Sequence, residues 1–270
     1  MRPRRLGGRN LDSLDHKADF CRRIIVEAGA IALAGYGKAR QTQMKGPQDY
    51  LTETDGRCEE FLRQRLLEAF PDDGFFGEES GGTSGEKLWV VDPIDGTANF
   101  ARNIPHFCIA IAYVVDGVTE IGAIYNPVLK ELHFAQRGRG ATCNGVSISV
   151  SDRSEASSAT VELGWSTRIA KSDYLSSLED LIDAGFNVRR AGSGALGIAY
   201  VADGRNDAYA EAHMNSWDCL AGLLMVEEAG GLVCSFEGPE KILRGGPVLA
   251  VTPRLAEAVC RATGIALKAE

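Results

Sequence analysis

The chain has 270 residues, of which 44% are hydrophobic and 24% are charged, the composition of an ordinary globular protein. Its formal net charge of −8 and its pI near 5.2 argue against general binding to nucleic acid or to anionic membranes, because both require a basic face. The sequence has no apolar run near the roughly 18 residues that span a membrane. Seven scattered cysteines without a CxxC pair indicate reduced thiols, and we therefore expect a cytoplasmic protein.

Two helices are predicted near the start of the chain. Residues 1–14 are rich in arginine and glycine, and we expect them to form a disordered tail. Apolar residues then recur at helical spacing from Asp15 to Tyr36 and from Asp55 to Phe70, with Thr54 or Asp55 as the N-cap of the second helix. The intervening segment MKGPQDYLTETD combines a Gly-Pro turn with threonines, which favours a short hairpin.

Strand signals dominate the next part of the chain. Apolar or β-branched runs occur at Phe75-Phe76, Leu88–Val91, Phe107–Val115, Thr119–Tyr125, Glu131–Ala135 and Ala141–Val150. The Asp116-Gly117 pair between two of these runs is typical of a hairpin turn. We therefore expect a mostly antiparallel sheet, which completes an N-terminal α+β half over residues 15–150.

Strands and helices alternate after Ser151, which indicates an α/β arrangement over residues 151–270. The predicted strands are 160–163, 186–190, 207–211 and 248–252, and the predicted helices are 170–184, 195–202, 217–228 and 254–263. The sequence has no low-complexity linker between the two halves. We therefore expect the C-terminal half to pack closely on the N-terminal half.

Two aspartates close a predicted buried strand in the stretch WVVDPIDGTANF, residues 89–100. Because the preceding valines are expected in the interior, Asp92 would lie at the carboxyl end of the strand, where sheets of this type tend to place ligands. Pro93 fixes the backbone and Gly96 allows a sharp turn, so that Asp92 and Asp95 can converge. Two such carboxylates repel each other unless a divalent cation lies between them. An Asp-Gly turn capped by an aspartate is the alternative interpretation.

Further acids flank predicted strand and helix ends. They are Glu78 in FFGEES, Asp55 after YLTET, Glu211 in EAHMNS and Asp218 in NSWDCLAG. Each acid alone is explained as a solvated loop residue, but their shared placement favours one site. Carboxylates and carbonyls without clustered Cys or His indicate a hard cation, and we therefore expect Mg²⁺.

The segments GEES, WVVDPIDGTANF and NSWDCLAG resemble the inositol monophosphatase family of Mg²⁺-dependent, lithium-sensitive phosphatases. The resemblance covers essentially the whole chain after the arginine-rich tail. It implies a layered αβαβα sandwich, the fold shared with fructose-1,6-bisphosphatase, and it implies a homodimer. The implied fold agrees with the mixed α+β and α/β character of the two predicted halves.

The family pattern also implies a set of ligands for two Mg²⁺ ions. The first ion would be held by Glu78, Asp92 and the backbone carbonyl of Ile94. The second would be held by Asp92, Asp95 and Asp218, so that Asp92 bridges the pair. Paired ions of this kind neutralise a phosphate dianion and activate a water that attacks phosphorus directly.

Catalytic and substrate-binding roles are implied by the same resemblance. Thr97 and Glu78 would orient the attacking water, and Asp55 would support both Thr97 and a third, weaker Mg²⁺. The backbone N–H groups of Gly96 and Thr97 would bind phosphate. Glu211 would accept a hydrogen bond from a substrate hydroxyl. The expected reaction is the hydrolysis of myo-inositol monophosphate.

Several residues leave the substrate open. The segment EAHMNS, residues 211–216, departs from the commonest spelling in inositol phosphatases, which leaves the alcohol half of the substrate open. The resemblance implies histidinol phosphate as the alternative substrate, because some bacterial members of the superfamily use it. The turn at Ser193 would offer N–H groups to the substrate, or serve only as a turn and helix cap. Trp165 and Arg168 are candidates for the rim of the site. His213 would either contact substrate or pack within its loop.

An alternative of a different class is a transcription-associated interaction protein with residual phosphatase activity. The resemblance raises it, because certain bacterial relatives bind the transcription machinery independently of catalysis. The complete set of expected ligands favours an enzyme without excluding this second role.

Overall fold

The computed structural model describes residues 11–38, 42–46, 49–82 and 85–268. Within these residues the helices are α1 (Leu11–Gly35), α2 (Glu53–Ala69), α3 (Thr97–Ala101), α4 (Lys171–Asp183), α5 (Gly194–Ala202), α6 (Ser216–Glu228), α7 (Pro239–Arg244) and α8 (Ala256–Thr263). The strands are β1 (Thr42–Gly46), β2 (Asp49–Thr52), β3 (Gly74–Gly77), β4 (Gly81–Gly82), β5 (Lys87–Asp95), β6 (Cys108–Val115), β7 (Val118–Asn126), β8 (Glu131–Gln136), β9 (Ala141–Cys143), β10 (Val146–Ser147), β11 (Thr160–Leu163), β12 (Asn187–Arg189), β13 (Ala208–Met214), β14 (Leu232–Val233) and β15 (Gly246–Val251). None of the described helices combines the length and the apolar character needed to cross a lipid bilayer.

Layers of helices alternate with two sheets. The large sheet has eight strands in the order β10-β9-β8-β7-β6-β5-β3-β4, and all its neighbours are antiparallel except β3 and β5. Helices α1 and α2 cover its outer face, and α5 and α6 separate it from the five-stranded sheet β12-β11-β13-β15-β14. Helices α4 and α8 lie on the far side of that second sheet. The predicted αβαβα sandwich is confirmed.

Strand β5 lies between the two hydrophobic cores of the protein. Trp89 and Val91 pack into the core under α1 and α2, whereas Leu88 and Val90 pack into the core around α5 and α6. A strand covered on both faces is apolar at nearly every position, which explains the unbroken run before Asp92. The carboxyl end of β5 is therefore held rigidly, and it brings polar side chains into the interior.

Most predicted elements of the first half are present, but the N-cap predicted for the second helix is corrected. The hairpin of β1 and β2 is confirmed, and so is the Asp116-Gly117 turn, where φ is 51° and 79°. The N-cap of α2 is Thr52, so the predicted caps Thr54 and Asp55 were wrong. Asp55 is the third helical residue, and its carboxylate accepts the backbone N–H of Thr52 at 3.0 Å, because an acid at this position reaches back to the cap.

Helix α1 begins at Leu11, four residues before the predicted start at Asp15. Leu14 lies one turn before Ala18 and packs against the same core, which extends the helix into the predicted tail of residues 1–14. Residues 1–10 of that tail lie outside the described part of the chain.

The predicted boundary near residue 150 falls between β10, which ends the large sheet, and β11. The division into halves stays a prediction.

Candidate active site

Asp92 and Asp95 lie at the carboxyl end of β5, where its pairing with β6 is irregular. Asp92 is opposite Ala110 and Asp95 is opposite Cys108, so β5 has one residue more than β6 in this interval. Side chains three positions apart on a regular strand point to opposite faces. The extra residue turns both carboxylates toward one point, and Pro93 is tolerated because a bulge needs no ladder hydrogen bond there.

Asp218 completes a group of three carboxylates. One oxygen from each of Asp92, Asp95 and Asp218 lies within 4.8 Å of the others. Asp218 is the third residue of α6, and its Oδ2 accepts hydrogen bonds from the backbone N–H of Asn215 at 3.2 Å and from Asn215 Nδ2 at 3.4 Å. No second group of metal-ligating side chains with this spacing occurs in the described residues.

Glu78 approaches the three aspartates from the strand that neighbours β5. Strand β3 runs parallel to β5 and pairs Gly77 with Val91, and the backbone N–H of Glu78 donates to the Val91 carbonyl at 3.2 Å. Because parallel strands end at the same edge of a sheet, Glu78 follows β3 at the level of Asp92. The structure thus brings together the four acids that the sequence analysis assigned to the metals.

Glu59 is a site residue that the sequence analysis missed. Glu59 is 3% exposed, and its carboxylate accepts the backbone N–H groups of Glu79 and Ser80 at 2.8 and 2.7 Å. A Cβ on Gly77 would lie 2.4 Å from Glu59 Oε2, so only glycine leaves room for this contact. Glu59 therefore fixes the loop that carries Glu78. Its spacing of four residues from Asp55, on the buried face of α2, was the signal available in the sequence.

Asp95 is anchored at the N-terminus of α5. Its Oδ2 accepts the backbone N–H of Ala195 at 2.8 Å and the hydroxyl of Ser193, and its Oδ1 accepts the N–H of Gly194 at 3.3 Å. Ser193 is 2% exposed and occupies the N-cap position of α5, but its hydroxyl donates to Asp95 and makes no capping bond of its own. A direct contact between Ser193 and substrate stays a prediction.

Burial raises the pKa of each of these aspartates. The pKa of Asp92 lies well above its ordinary value because of burial and then the charges of Glu78, Asp95 and Asp218. Burial, followed by the charge of Asp95, raises the pKa of Asp218 to about 7. The carboxylates therefore cost free energy when they are ionised together, and a cation among them would remove that cost. The all-oxygen donor set fits Mg²⁺.

Thr97 connects this group to Asp55. Thr97 Oγ1 lies 2.9 Å from the Ile94 carbonyl oxygen and 3.3 Å from Asp55 Oδ1. Burial raises the pKa of Asp55 to about 6. Gly96 precedes Thr97 with a φ of 89°, a conformation that favours glycine, and it leads into the short helix α3 that the sequence analysis did not predict.

A cavity of about 770 Å³ opens beside these side chains, within the size range of small-molecule sites. The predicted site residues on its wall are Glu78, Asp95, Gly96, Thr97, Ser193, Glu211 and Asp218. Asp55, Asp92 and Ile94 are almost fully buried and do not line it. The predicted site residues therefore line the cavity or lie directly behind its lining.

Glu211 lies on β13 and lines the cavity. Its Oε2 accepts a hydrogen bond from the Tyr209 hydroxyl at 2.6 Å, and burial raises the pKa of Glu211 to about 8. A Cβ on Gly164 would lie 2.0 Å from Glu211 Oε2, so the loop after β11 approaches this carboxylate closely only because residue 164 is glycine. Trp165 and Arg168 of that loop line the cavity, as expected for rim residues.

The model of the inositol monophosphatase family matches residues 14–267. The chain belongs to this family. It is 37% identical over 241 residues to the Nus factor SuhB of Pasteurella multocida. These residues cover 86% of this chain and 90% of that protein. It is 36% identical over 242 residues to the inositol-1-monophosphatase of Rhizobium meliloti, covering 87% of this chain and 91% of that protein.

Solved structures confirm the inositol monophosphatase fold. The extragenic suppressor protein SuhB of Bartonella henselae superposes with a TM-score of 0.85 at 35% identity, covering 91% of this chain and 97% of that one. An IMPase/NADP phosphatase complexed with Mg²⁺ and phosphate superposes with a TM-score of 0.79 at 25% identity, covering 94% and 96%. Membership of the inositol monophosphatase family supports a phosphatase activity for this chain.

Proposed function

We propose that this family member is a Mg²⁺-dependent phosphomonoesterase that hydrolyses myo-inositol monophosphate to inositol and phosphate. The observation that carries the proposal is the group of three aspartates, whose oxygens lie within 4.8 Å of one another beside a cavity of about 770 Å³. Such a concentration of buried negative charge requires protons or a cation to neutralise it. The Mg²⁺ and phosphate in the related IMPase/NADP phosphatase complex support the choice of ion and of reaction.

Two Mg²⁺ ions would be held by Glu78, Asp92, Ile94, Asp95 and Asp218, the Ile94 ligand being its backbone carbonyl. When bound, such ions neutralise the phosphate dianion, lower the pKa of a water molecule and stabilise the leaving alkoxide. The Ile94 carbonyl keeps a second lone pair for this role beside the hydrogen bond that it accepts from Thr97. Asp55 would support a third, weaker ion.

Thr97 and Glu78 would orient the attacking water. The Thr97 hydroxyl carries one proton and has two acceptors, the Ile94 carbonyl at 2.9 Å and Asp55 Oδ1 at 3.3 Å. When it donates to either one, Oγ1 retains a lone pair that accepts a hydrogen bond from water. Glu78, which lines the same cavity, would accept the other proton of that water.

The alcohol half of the substrate would bind at Glu211. The Tyr209 hydroxyl holds this carboxylate from one side, and the carboxylate lines the cavity. It would accept hydrogen bonds from inositol hydroxyls, or pair with the amine of histidinol phosphate, which is the alternative substrate. The backbone N–H groups of Gly96 and Thr97 would bind the phosphate group.

The decisive experiment assays the purified protein with Mg²⁺ against a panel of phosphate esters that includes myo-inositol monophosphate, histidinol phosphate and an aryl phosphate. We expect the highest kcat/KM for inositol monophosphate, loss of activity in EDTA, and inhibition by Li⁺ and by Ca²⁺, whose looser coordination positions water poorly. A higher kcat/KM for histidinol phosphate would replace inositol monophosphate as the proposed substrate. Failure to hydrolyse any ester would overturn the phosphatase proposal.

The relatives named Nus factor SuhB favour a second candidate function, an association with the transcription machinery. A pull-down with purified RNA polymerase tests it, and the Asp92→Asn variant shows whether binding is independent of catalysis.

We also propose a cytoplasmic homodimer. The free thiols of all seven cysteines support a reducing compartment, and the dimer rests on the family resemblance.

A further inference from the structure

Arg168 is linked to Asp218 through the side chain of one asparagine. Its Nη1 donates to Asn215 Oδ1 at 2.6 Å. Asn215 is the N-cap of α6, and its Nδ2 and backbone N–H donate to Asp218 Oδ2 at 3.4 and 3.2 Å. A chain of hydrogen bonds therefore runs from the cavity rim to an aspartate of the three-carboxylate group.

His213 holds Arg168 from a second side. His213 Nδ1 lies 3.3 Å from Arg168 Nη1, and Nε2 lies 3.1 Å from the carbonyl oxygen of Arg244. Because a guanidinium only donates and a carbonyl only accepts, the ring carries its proton on Nε2 and accepts from Arg168 on Nδ1. A Cβ on Gly245 would lie 2.8 Å from His213 Cε1, so the ring packs closely against that glycine.

We propose that Arg168 is a positioning residue for Asp218 and acts through the Asn215 carboxamide. A carboxamide can be turned over, which exchanges its oxygen and its nitrogen. In the reversed orientation the oxygen of Asn215 would face Asp218 Oδ2 and repel it. Arg168 has no acceptor, so it bonds only the oxygen of Asn215. Together with the Asp218 backbone N–H, which the same Asn215 side chain caps, it favours the orientation in which Nδ2 donates to Asp218. The inference rests on the proposed function, in which Asp218 is a Mg²⁺ ligand.

The direction of the change in Mg²⁺ affinity when Arg168 is removed distinguishes a positioning role from a purely electrostatic one. Arg168 contributes a positive charge to the cavity, and removal of that charge alone would strengthen the binding of a cation. Loss of the positioning contact would weaken cation binding, because the Asn215 carboxamide would restrain Asp218 less and the backbone N–H of Asn215 would carry more of that role. The two explanations therefore predict opposite changes in the Kd for Mg²⁺.

The experiment measures Mg²⁺ binding to the purified protein by titration calorimetry and follows the Mg²⁺-induced rise in Tm. We expect Arg168→Leu to raise the Kd about threefold to tenfold, below the roughly tenfold to hundredfold typical of residues that contact a metal ligand directly. Arg190→Leu is the matched control, because Arg190 lines the same cavity and no hydrogen bond in the described structure joins it to Asn215. We expect its Kd to stay constant or to fall.

A double-mutant cycle completes the test. Asn215→Ser keeps a helix-capping oxygen but removes the amide link, and adding Arg168→Leu to it should cause no further loss of Mg²⁺ affinity. Two results would overturn the inference: additive losses in the double mutant, or an Arg168→Leu variant that binds Mg²⁺ as tightly as the parent. The proposed function would still stand if the parent binds Mg²⁺ and hydrolyses esters. A parent that binds no Mg²⁺ would overturn both the inference and the proposed function.

Discussion

Asp92→Asn tests whether the buried carboxylates are arranged around cations. Asp92 is 1% exposed and shares the 4.8 Å group with Asp95 and Asp218. Its Oδ1 accepts the backbone N–H of Ile94 at 2.9 Å, a hydrogen bond that the oxygen of asparagine can keep. The substitution therefore removes one negative charge and changes little else. In the metal-free protein we expect it to be stabilising.

The magnitude follows from the distances. Two unit charges at the 4.8 Å limit of this group repel by about 3.5 kcal/mol at an effective dielectric constant of about 20. Proton uptake limits the cost, because protonating an aspartate of ordinary pKa at pH 7 costs about 4 kcal/mol. We therefore expect the free energy of unfolding of the metal-free variant to rise by about 1 to 4 kcal/mol, and its Tm by roughly 2–4 °C for each kcal/mol.

The assay compares thermal unfolding in EDTA and in saturating Mg²⁺. In EDTA the variant should melt above the parent, and in Mg²⁺ only the parent should gain stability. Asp73→Asn is the matched control, because Asp73 is also buried but pairs with Lys17 and accepts Trp89 Nε1–H at 3.0 Å; it should melt lower in both buffers. An Asp92→Asn variant that melts below the parent in EDTA would refute the repulsion argument, and retained turnover in Mg²⁺ would refute the metal assignment.

Three further predictions concern the site. Glu59→Gln should lower kcat about tenfold and destabilise the protein by about 1–3 kcal/mol, since one of two part-buried N–H groups loses its acceptor. The exposed Glu60→Gln should match the parent in both measurements. Glu211→Gln should lower kcat/KM for the true substrate about tenfold to a hundredfold and leave an aryl phosphate nearly unchanged; equal losses would contradict a substrate-facing role. Burial raises the pKa of Asp218 to about 7 and of Glu211 to about 8, so the folded metal-free protein binds more protons than the unfolded chain, and its Tm should fall as pH rises from about 4 to 8. Saturating Mg²⁺ should weaken or reverse that slope in the same melting experiment, because the ions compete with protons; a Tm that rises with pH in EDTA would contradict this account.

Most acids of the site could be found in the sequence because they end a strand or open a helix. Glu211 is an exception, because it lies within β13 and not at a strand end as predicted. The run before Asp92 and the apolar helix after Asp218 are local patterns, and local patterns are visible in one chain. The reason that Asp92 and Asp95 converge was harder to predict. Pro93 and Gly96 suggested a sharp turn, whereas the structure has a bulge, which depends on the register of β5 against β6 and therefore on a second segment of the chain.

The residues that support the site's carboxylates were not predictable for the same reason. Glu59 acts on a loop that follows another strand, and Ser193 acts on an aspartate almost a hundred positions away. Arg168 was recognised only as a candidate for the rim, because its partner Asn215 comes from a different element. Side-chain hydrogen bonds between distant segments leave no periodic signal in the sequence.

Helix N-termini hold three of the site's carboxylates in place. Asp95 accepts a backbone N–H from α5, while Asp55 and Asp218 each accept the N–H of the cap residue of their own helix. Such bonds favour the ionised form, whereas burial disfavours it, so the carboxylates are fixed in position although their pKa values are raised. A carboxylate that accepts a backbone amide is restrained from rotating away from its neighbours even without a cation. The arrangement of the site is therefore a property of the fold, and cation binding needs little reorganisation of these three side chains.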